Sequence, residues 1–253
     1  MRRFSVWKLT KWGAFCCILA LIGLATGVYH AGEAVSVTAT TRKLPIYSVQ
    51  TAEKTAALGF NCAWDNADIP RLIQILEQYQ TKATFFVAGD WCDKYPQSVR
   101  NLAQAGHEIG SHSNTHTDLT KLNRAQIAQE ITLCNEKITA LTGQPVKWFR
   151  MPSGAYNNLV IETVRGHDME PIQWDCDSLD YTNPTPAEIN QHIWDRLQPG
   201  SILLFHSGAK NTPEALPSLL LELQADGYRL VPVSELVLPA PYRIDHQGRQ
   251  HKA

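Results

Sequence analysis

The 253 residues are 44% hydrophobic, 19% charged and 9% aromatic, with 15 glycines and 14 prolines. That profile excludes disordered, collagen-like and coiled-coil chains and leaves a globular protein with a sizeable core. Net charge is −1, and setting aside the cations Arg2, Arg3, Lys8 and Lys11 leaves −5 for the remainder, which has no electrostatic footprint for nucleic acid.

Residues 13–29 (GAFCCILALIGLATGVY) are uncharged, follow those four cations, and precede the first acid, Glu33. The run is longer than the roughly 7–15 residues of a signal-peptide core and sits at the lower limit of about 17–25 for a spanning helix. No A-x-A site follows it, so an uncleaved signal-anchor is expected over 1–30, with the basic flank in the cytoplasm. Everything beyond it is expected to be extracytoplasmic, membrane-anchored or secreted to the cell envelope. Residues 31–52 read as a linker and the polar, proline-punctuated 239–253 as a tail. Cys62, Cys92, Cys134 and Cys176 lack metal-finger spacing and read mainly as buried thiols, although one or two disulfides are permitted outside the cytoplasm.

Between linker and tail, strand-like runs at 56–60, 83–87, 107–110, 146–149, 170–174, 201–205 and 228–233 alternate with helical spacing over 69–80, 95–105, 124–142, 157–166, 186–196 and 212–225. This alternation predicts one α/β domain over 53–238, with a parallel sheet that is doubly wound or closed as a barrel. In such folds chemistry sits at the strand C-termini. The polar residues obey that rule: Asn61, Cys62, Asp65 and Asp68 follow the first run, His112 and His116 the third, Arg150 the fourth, Asp175, Asp177 and Asp180 the fifth, and His206 the sixth.

His112 and His116, at i and i+4 after a strand, are expected to open a helix and turn their nitrogens to one side, where they can share a metal completed by a carboxylate. His206 at a strand end suits proton transfer if one of the three aspartates holds it. Arg150 offers fixed donors for an acid or a substrate oxygen.

In this order, the strand-end residues, HSNTH at 112–116, RMPSG at 150–154, WDCDSLD at 174–180 and LFH at 204–206 resemble the polysaccharide deacetylases, the NodB-homology family of carbohydrate esterases (family 4), in particular their sporulation-type subgroup. The resemblance implies a distorted (β/α) barrel and removal of N-acetyl or O-acetyl groups from an envelope polysaccharide such as peptidoglycan. It implies His112 and His116 as metal ligands, His206 as general acid, Asp180 as its holder, Arg150 as brace of the base, and Leu204, Tyr181 and Pro152 at the substrate. By the family's pattern a divalent metal, zinc, would be the cofactor and an acetylated glycan the partner, with no obligatory protein partner. The first motif departs: where the family reads two aspartates, this chain has Asn61 and Cys62. Asn61 has no basicity to accept a proton. The third metal ligand is expected to be Asp68, ahead of Asp65 or Cys62, since a carboxylate keeps the ion's character. The alternative to an active hydrolase is a membrane-tethered glycan-binding pseudoenzyme.

Overall fold

The computed structural model describes residues 42–253, and the expected anchor at 13–29, with Cys16 and Cys17, lies outside them. In chain order the strands are β1 (Ser48–Val49), β2 (Thr55–Cys62), β3 (Thr84–Val87), β4 (Glu108–Ser111), β5 (Trp148–Phe149), β6 (Glu170–Pro171), β7 (Cys176–Asp177), β8 (Ile202–His206), β9 (Arg229–Val231), β10 (Tyr242–Ile244) and β11 (Arg249–Lys252). The helices are α1 (Ile69–Gln78), α2 (Gly89–Lys94), α3 (Pro96–Gln104), α4 (Arg124–Thr142), α5 (Asn158–Arg165), α6 (Pro186–Trp194), α7 (Thr212–Ala225) and the single turn α8 (Val233–Leu236). Helix ends follow local chemistry: Asn123 and Gln126 close a capping box at the start of α4, and Gly143 ends it in the left-handed region.

The main sheet runs β6-β5-β4-β3-β2-β8-β7, parallel throughout, with β9 paired to the first residues of β2. It is a curled, open half-barrel with helices outside, the distorted (β/α) barrel of the NodB type. β2 is central and buried at all eight positions, as a strand covered on both faces must be. Its alternation sorts the chemistry. Ala56, Leu58, Phe60 and Cys62 enter the larger core with Leu72, Leu76, Leu216 and Leu220. Phe60 lies between Phe85 and Phe205, at 4.8 and 5.4 Å between ring centroids, and each such fully buried ring contributes about 1.5–3 kcal/mol. Gly59 and Asn61 take the opposite face. A side chain at Gly59 would start 2.7 and 2.8 Å from the two terminal nitrogens of Arg150, so glycine here makes room for the guanidinium.

Two expectations change. The runs at 146–149 and 170–174 shrink to the two-residue strands β5 and β6, the latter ending on Pro171, which has no N–H for the ladder. The supposed linker and tail also enter the fold: β1 pairs β11 in parallel and β10 pairs it antiparallel. Ile46 and Gln250 are fully buried, and the Gln250 amide bonds Leu238 N and O at 2.7 and 2.9 Å. Such short strands with polar sequence carry no period to read. Cys62, Cys92, Cys134 and Cys176 are all free and buried, so the permitted disulfides are absent among the described residues.

Candidate functional site

At the C-terminal end of the sheet a pocket of about 270 Å³ lies over β2 and β8. Asn61, Ala63 and Leu204 form its floor, and Trp64, Trp174 and Tyr181 its aromatic walls. His116, Ser153, Asp177 and His206 complete the lining.

His206 ends β8 and is held by Asp180, a fully buried carboxylate. The His206 Nδ1 lies 2.7 Å from Asp180 Oδ1, and Asp180 Oδ2 accepts from the His206 backbone N–H at 2.8 Å and the Thr212 hydroxyl at 2.7 Å. Of the three aspartates near this strand end, Asp180 is the partner. Asp175 takes Ile202 N and Ser201 Oγ, and Asp177 takes Leu179 N and Trp174 Nε1. Trp64 stacks on the His206 ring at 5.0 Å and Tyr181 meets it edge-on at 5.4 Å.

Arg150 is fully buried, its guanidinium 4.1 Å from the Phe86 ring. One terminal nitrogen donates to Asn61 Oδ1 at 3.3 Å and the other to the Gln173 carbonyl at 3.2 Å. Burial lowers its pKa to about 9; the Asp177 charge opposes that shift, yet no carboxylate pairs with the guanidinium directly.

The HSNTH segment departs from the expected helix. Residues 112–118 form a loop in which Ser113 and His116 adopt left-handed φ of 68° and 56°. Glu130 of α4 holds it: one oxygen accepts from Ser113 Oγ, Asn114 N and Thr115 N at 2.6, 3.0 and 2.8 Å, the other from Thr115 Oγ1 at 3.1 Å. The loop sets the two imidazoles 4.8 Å apart at 66°. His112 Nδ1 donates to the Arg150 carbonyl at 2.7 Å, and burial, then the neighbouring His116, push its pKa well below 6.5. Its Nε2 is therefore a buried lone pair, and it has no hydrogen-bond partner. Burial, then His206, lowers His116 as well.

This is half of a metal site. A catalytic zinc takes three protein ligands, and among the described residues no group of three His, Cys, Asp or Glu side chains is placed to hold an ion. The expected third ligand, Asp68, is not grouped with the two imidazoles: its Oδ2 accepts from Gly208 N at 2.8 Å beyond β8, its buried Oδ1 has no hydrogen-bond partner, and burial raises its pKa to about 6. Asp65 caps its own loop through Ala67 N at 2.9 Å. Cys62 points into the apolar core, where burial pushes its thiol to about 12. The residues present do not fit the zinc centre that the resemblance implied. Pro152 is also displaced from its expected role, being buried while the next residue, Ser153, reaches the pocket.

Sequence reasoning missed Trp174 and Glu130. A tryptophan inside an apolar run reads as core, and no local pattern ties an acid on a helix to a loop 15 residues earlier.

This fold with this strand-end site defines a class, the sugar-polymer deacetylases of the NodB type. The family model for polysaccharide deacetylases matches residues 48–172. A peptidoglycan-N-acetylglucosamine deacetylase of Bacillus cereus is 31% identical over 196 residues, which are 76% of this chain and 92% of that protein. The uncharacterized protein YlxY of Bacillus subtilis is 33% identical over 193 residues, 76% of this chain but 60% of its own length. Among solved structures, wild-type BA3943, a CE4 family pseudoenzyme from Bacillus anthracis, superposes with TM-score 0.75 at 32% identity, covering 83% of this chain and 73% of that one. A mutant of BA3943 with restored enzymatic activity gives 0.73 at 33% identity, covering 76% and 70%. The chain belongs to the polysaccharide deacetylase family.

Proposed function

We propose that the domain binds an acetylated amino-sugar unit of a cell-envelope glycan in the pocket over β2 and β8, and that deacetylation there is impaired. The observation that carries this is the Arg150–Asn61 contact: the buried guanidinium meets an amide oxygen at 3.3 Å where a base would need a carboxylate. An amide cannot take a proton from an attacking water at neutral pH. The missing third metal ligand compounds the loss. The leaving-group side is intact. Asp180 orients His206 so that Nε2 faces the pocket, where it can deliver a proton to a departing amine, and Leu204 offers an apolar floor for the acetyl methyl. The likeness to BA3943 supports this reading, since that relative is a pseudoenzyme on the same fold.

A second reading, a slow metal-dependent hydrolase, is favoured by the unpartnered His112 Nε2 beside His116. Either way, the sequence argues for a domain outside the cytoplasm, tethered by residues 13–29. The test is acetate release from chitooligosaccharides and peptidoglycan fragments by the purified chain with added zinc or cobalt, run beside a binding titration on the same ligands. Binding without release is expected; turnover at rates typical of deacetylases would overturn the impaired reading.

A further inference from the structure

Resting on the reading of this pocket as a glycan site, we infer that it selects a neutral N-acetylhexosamine and disfavours an amino sugar that carries its own carboxylate, of the N-acetylmuramic acid type. The two kinds differ at C3: one bears a free hydroxyl there, the other an ether-linked lactyl group ending in a carboxylate. The pocket's charges distinguish them.

Among the described residues, no Lys or Arg lines the cavity. Arg150 lies beneath the floor, fully buried, stacked on Phe86 and bonded to Asn61 and the Gln173 carbonyl. It cannot swing out without abandoning all three contacts. Lys210, on the turn after β8, is exposed and does not reach the lining. The one acidic side chain on the wall is Asp177, whose two oxygens are fixed by Leu179 N at 2.9 Å and Trp174 Nε1 at 3.2 Å. Any positive charge on His206 is met by Asp180 at 2.7 Å. A carboxylate brought by the sugar would find no Lys or Arg to pair with and would share a cavity of about 270 Å³ with Asp177, with partly desolvated like charges repelling.

The contacts that remain suit a neutral ring. Trp64 and Tyr181 are 49% and 48% exposed, and together with Trp174 they offer faces to the C–H surfaces of a pyranose. At this size the cavity is at the small end of ligand sites, so it accepts one ring and its acetyl group.

The test is an NMR titration of the Trp indole N–H signals of the full chain, in the presence of a chelator so that no cation bridges carboxylates. The probes are the methyl glycosides of N-acetylglucosamine and N-acetylmuramic acid, and the methyl ester of the latter, which keeps the lactyl bulk and removes its charge. The neutral sugar and the ester should bind within about threefold of each other and the free acid about tenfold more weakly, a difference of about 1.4 kcal/mol. Asp177→Asn should narrow that gap, and raised salt should too. Because the ligand series is run on the unaltered protein, it stands even if the variant misfolds. The acid binding as tightly as the neutral sugar would overturn charge selection and leave the glycan site standing. The ester binding as weakly as the acid would overturn it in favour of size. If no sugar binds, the glycan reading itself falls, and this inference with it.

Discussion

Replacing Asn61 with Asp changes one atom and tests the central claim. The side chain is 6% exposed and its oxygen already receives Arg150 at 3.3 Å, so Asn61→Asp converts a bond to a neutral acceptor into a bond between charges. The guanidinium donor is charged already, so the bond starts in the class that contributes about 1.5–3 kcal/mol, and the second charge strengthens it within that range, by about 1 kcal/mol. Burying the new carboxylate opposes that gain of about 1 kcal/mol. The melting temperature should therefore move by no more than about 2–4 °C, the shift per kcal/mol for a domain of this size. The rate should move far more, because a positioned general base is worth about 10²–10⁴-fold, or about 3–5 kcal/mol of barrier. Acetate release from chitooligosaccharide by the unaltered chain, Asn61→Asp, and Asn61→Asp with His206→Ala, each with and without added zinc, makes the comparison. The expected order is negligible, raised and negligible again. If the unaltered chain is within about threefold of Asn61→Asp, the base is not what is missing. If the variant folds, binds glycan and stays inert, the absent metal carboxylate, not the base, is the limiting defect.

Glu130→Ala removes four hydrogen bonds from a loop with two left-handed non-glycine residues; a loss of about 2–3 kcal/mol by urea unfolding is expected, with displaced His112 and His116 imidazole signals in NMR. Asp180→Ala should cost about 3–5 kcal/mol, because His206, its backbone N–H and Thr212 all lose their acceptor, and a melting temperature unchanged within 2 °C, about 1 kcal/mol or less by the size scaling, would contradict the geometry. Asp68 titrates at about 6 when folded against 3.8 unfolded. The folded state then holds the extra proton between those values, and its contribution to stability is present at low pH and lost as pH rises through about 6. Linkage sets a ceiling of about 3 kcal/mol, and the carboxyl's partial exposure reduces this to about 1. Asp68→Asn should accordingly stabilise at pH 7.5 and do little at pH 4, measured by thermal melts across pH.

The alternation of strands and helices made the half-barrel legible; the strand-end rule gathered Asn61, His116 and His206, and the family resemblance added Leu204 and Tyr181, around one pocket before any coordinate. What stayed hidden was direction. Spacing put Cys62 and Asn61 side by side as candidates for one site, but strand alternation sends adjacent residues to opposite faces, so one thiol went to the core. Asp68 followed the same logic in reverse: six residues beyond Cys62 in sequence, its orientation is fixed by a backbone N–H at Gly208, 140 residues away, which no local pattern encodes. The i, i+4 histidines did converge, though by a loop clasped from Glu130 instead of by a helix. The β1–β11–β10 sheet was unreadable because strands of two to four residues with sequences such as RQHK carry neither period nor hydrophobicity.

The intact His206–Asp180 pair is weak evidence for present catalysis, because it has a structural reason to persist. Asp180 ties the end of β8 to the start of α7 through a backbone N–H and a hydroxyl, so losing it would destabilise the domain whether or not an amine is ever protonated. Gly59 and Arg150 are similarly locked to each other by packing. The two half-exposed aromatics are different. Trp64 and Tyr181 keep about half their surface in water, and that exposed half adds nothing to folding. Trp64 stacks on the face of the one imidazole and Tyr181 meets it edge-on, and their exposed surface gains free energy only when something covers it. A chain that no longer bound glycan would have no physical use for such walls; one that still grips a sugar would. Trp64→Ala and Tyr181→Ala separate the cases, since both should leave the melting temperature within about 2 °C while weakening glycan binding by about tenfold each, the scale of one lost aromatic contact of about 1.4 kcal/mol. Unchanged affinity in both variants would remove the reason for reading the pocket as a sugar site at all.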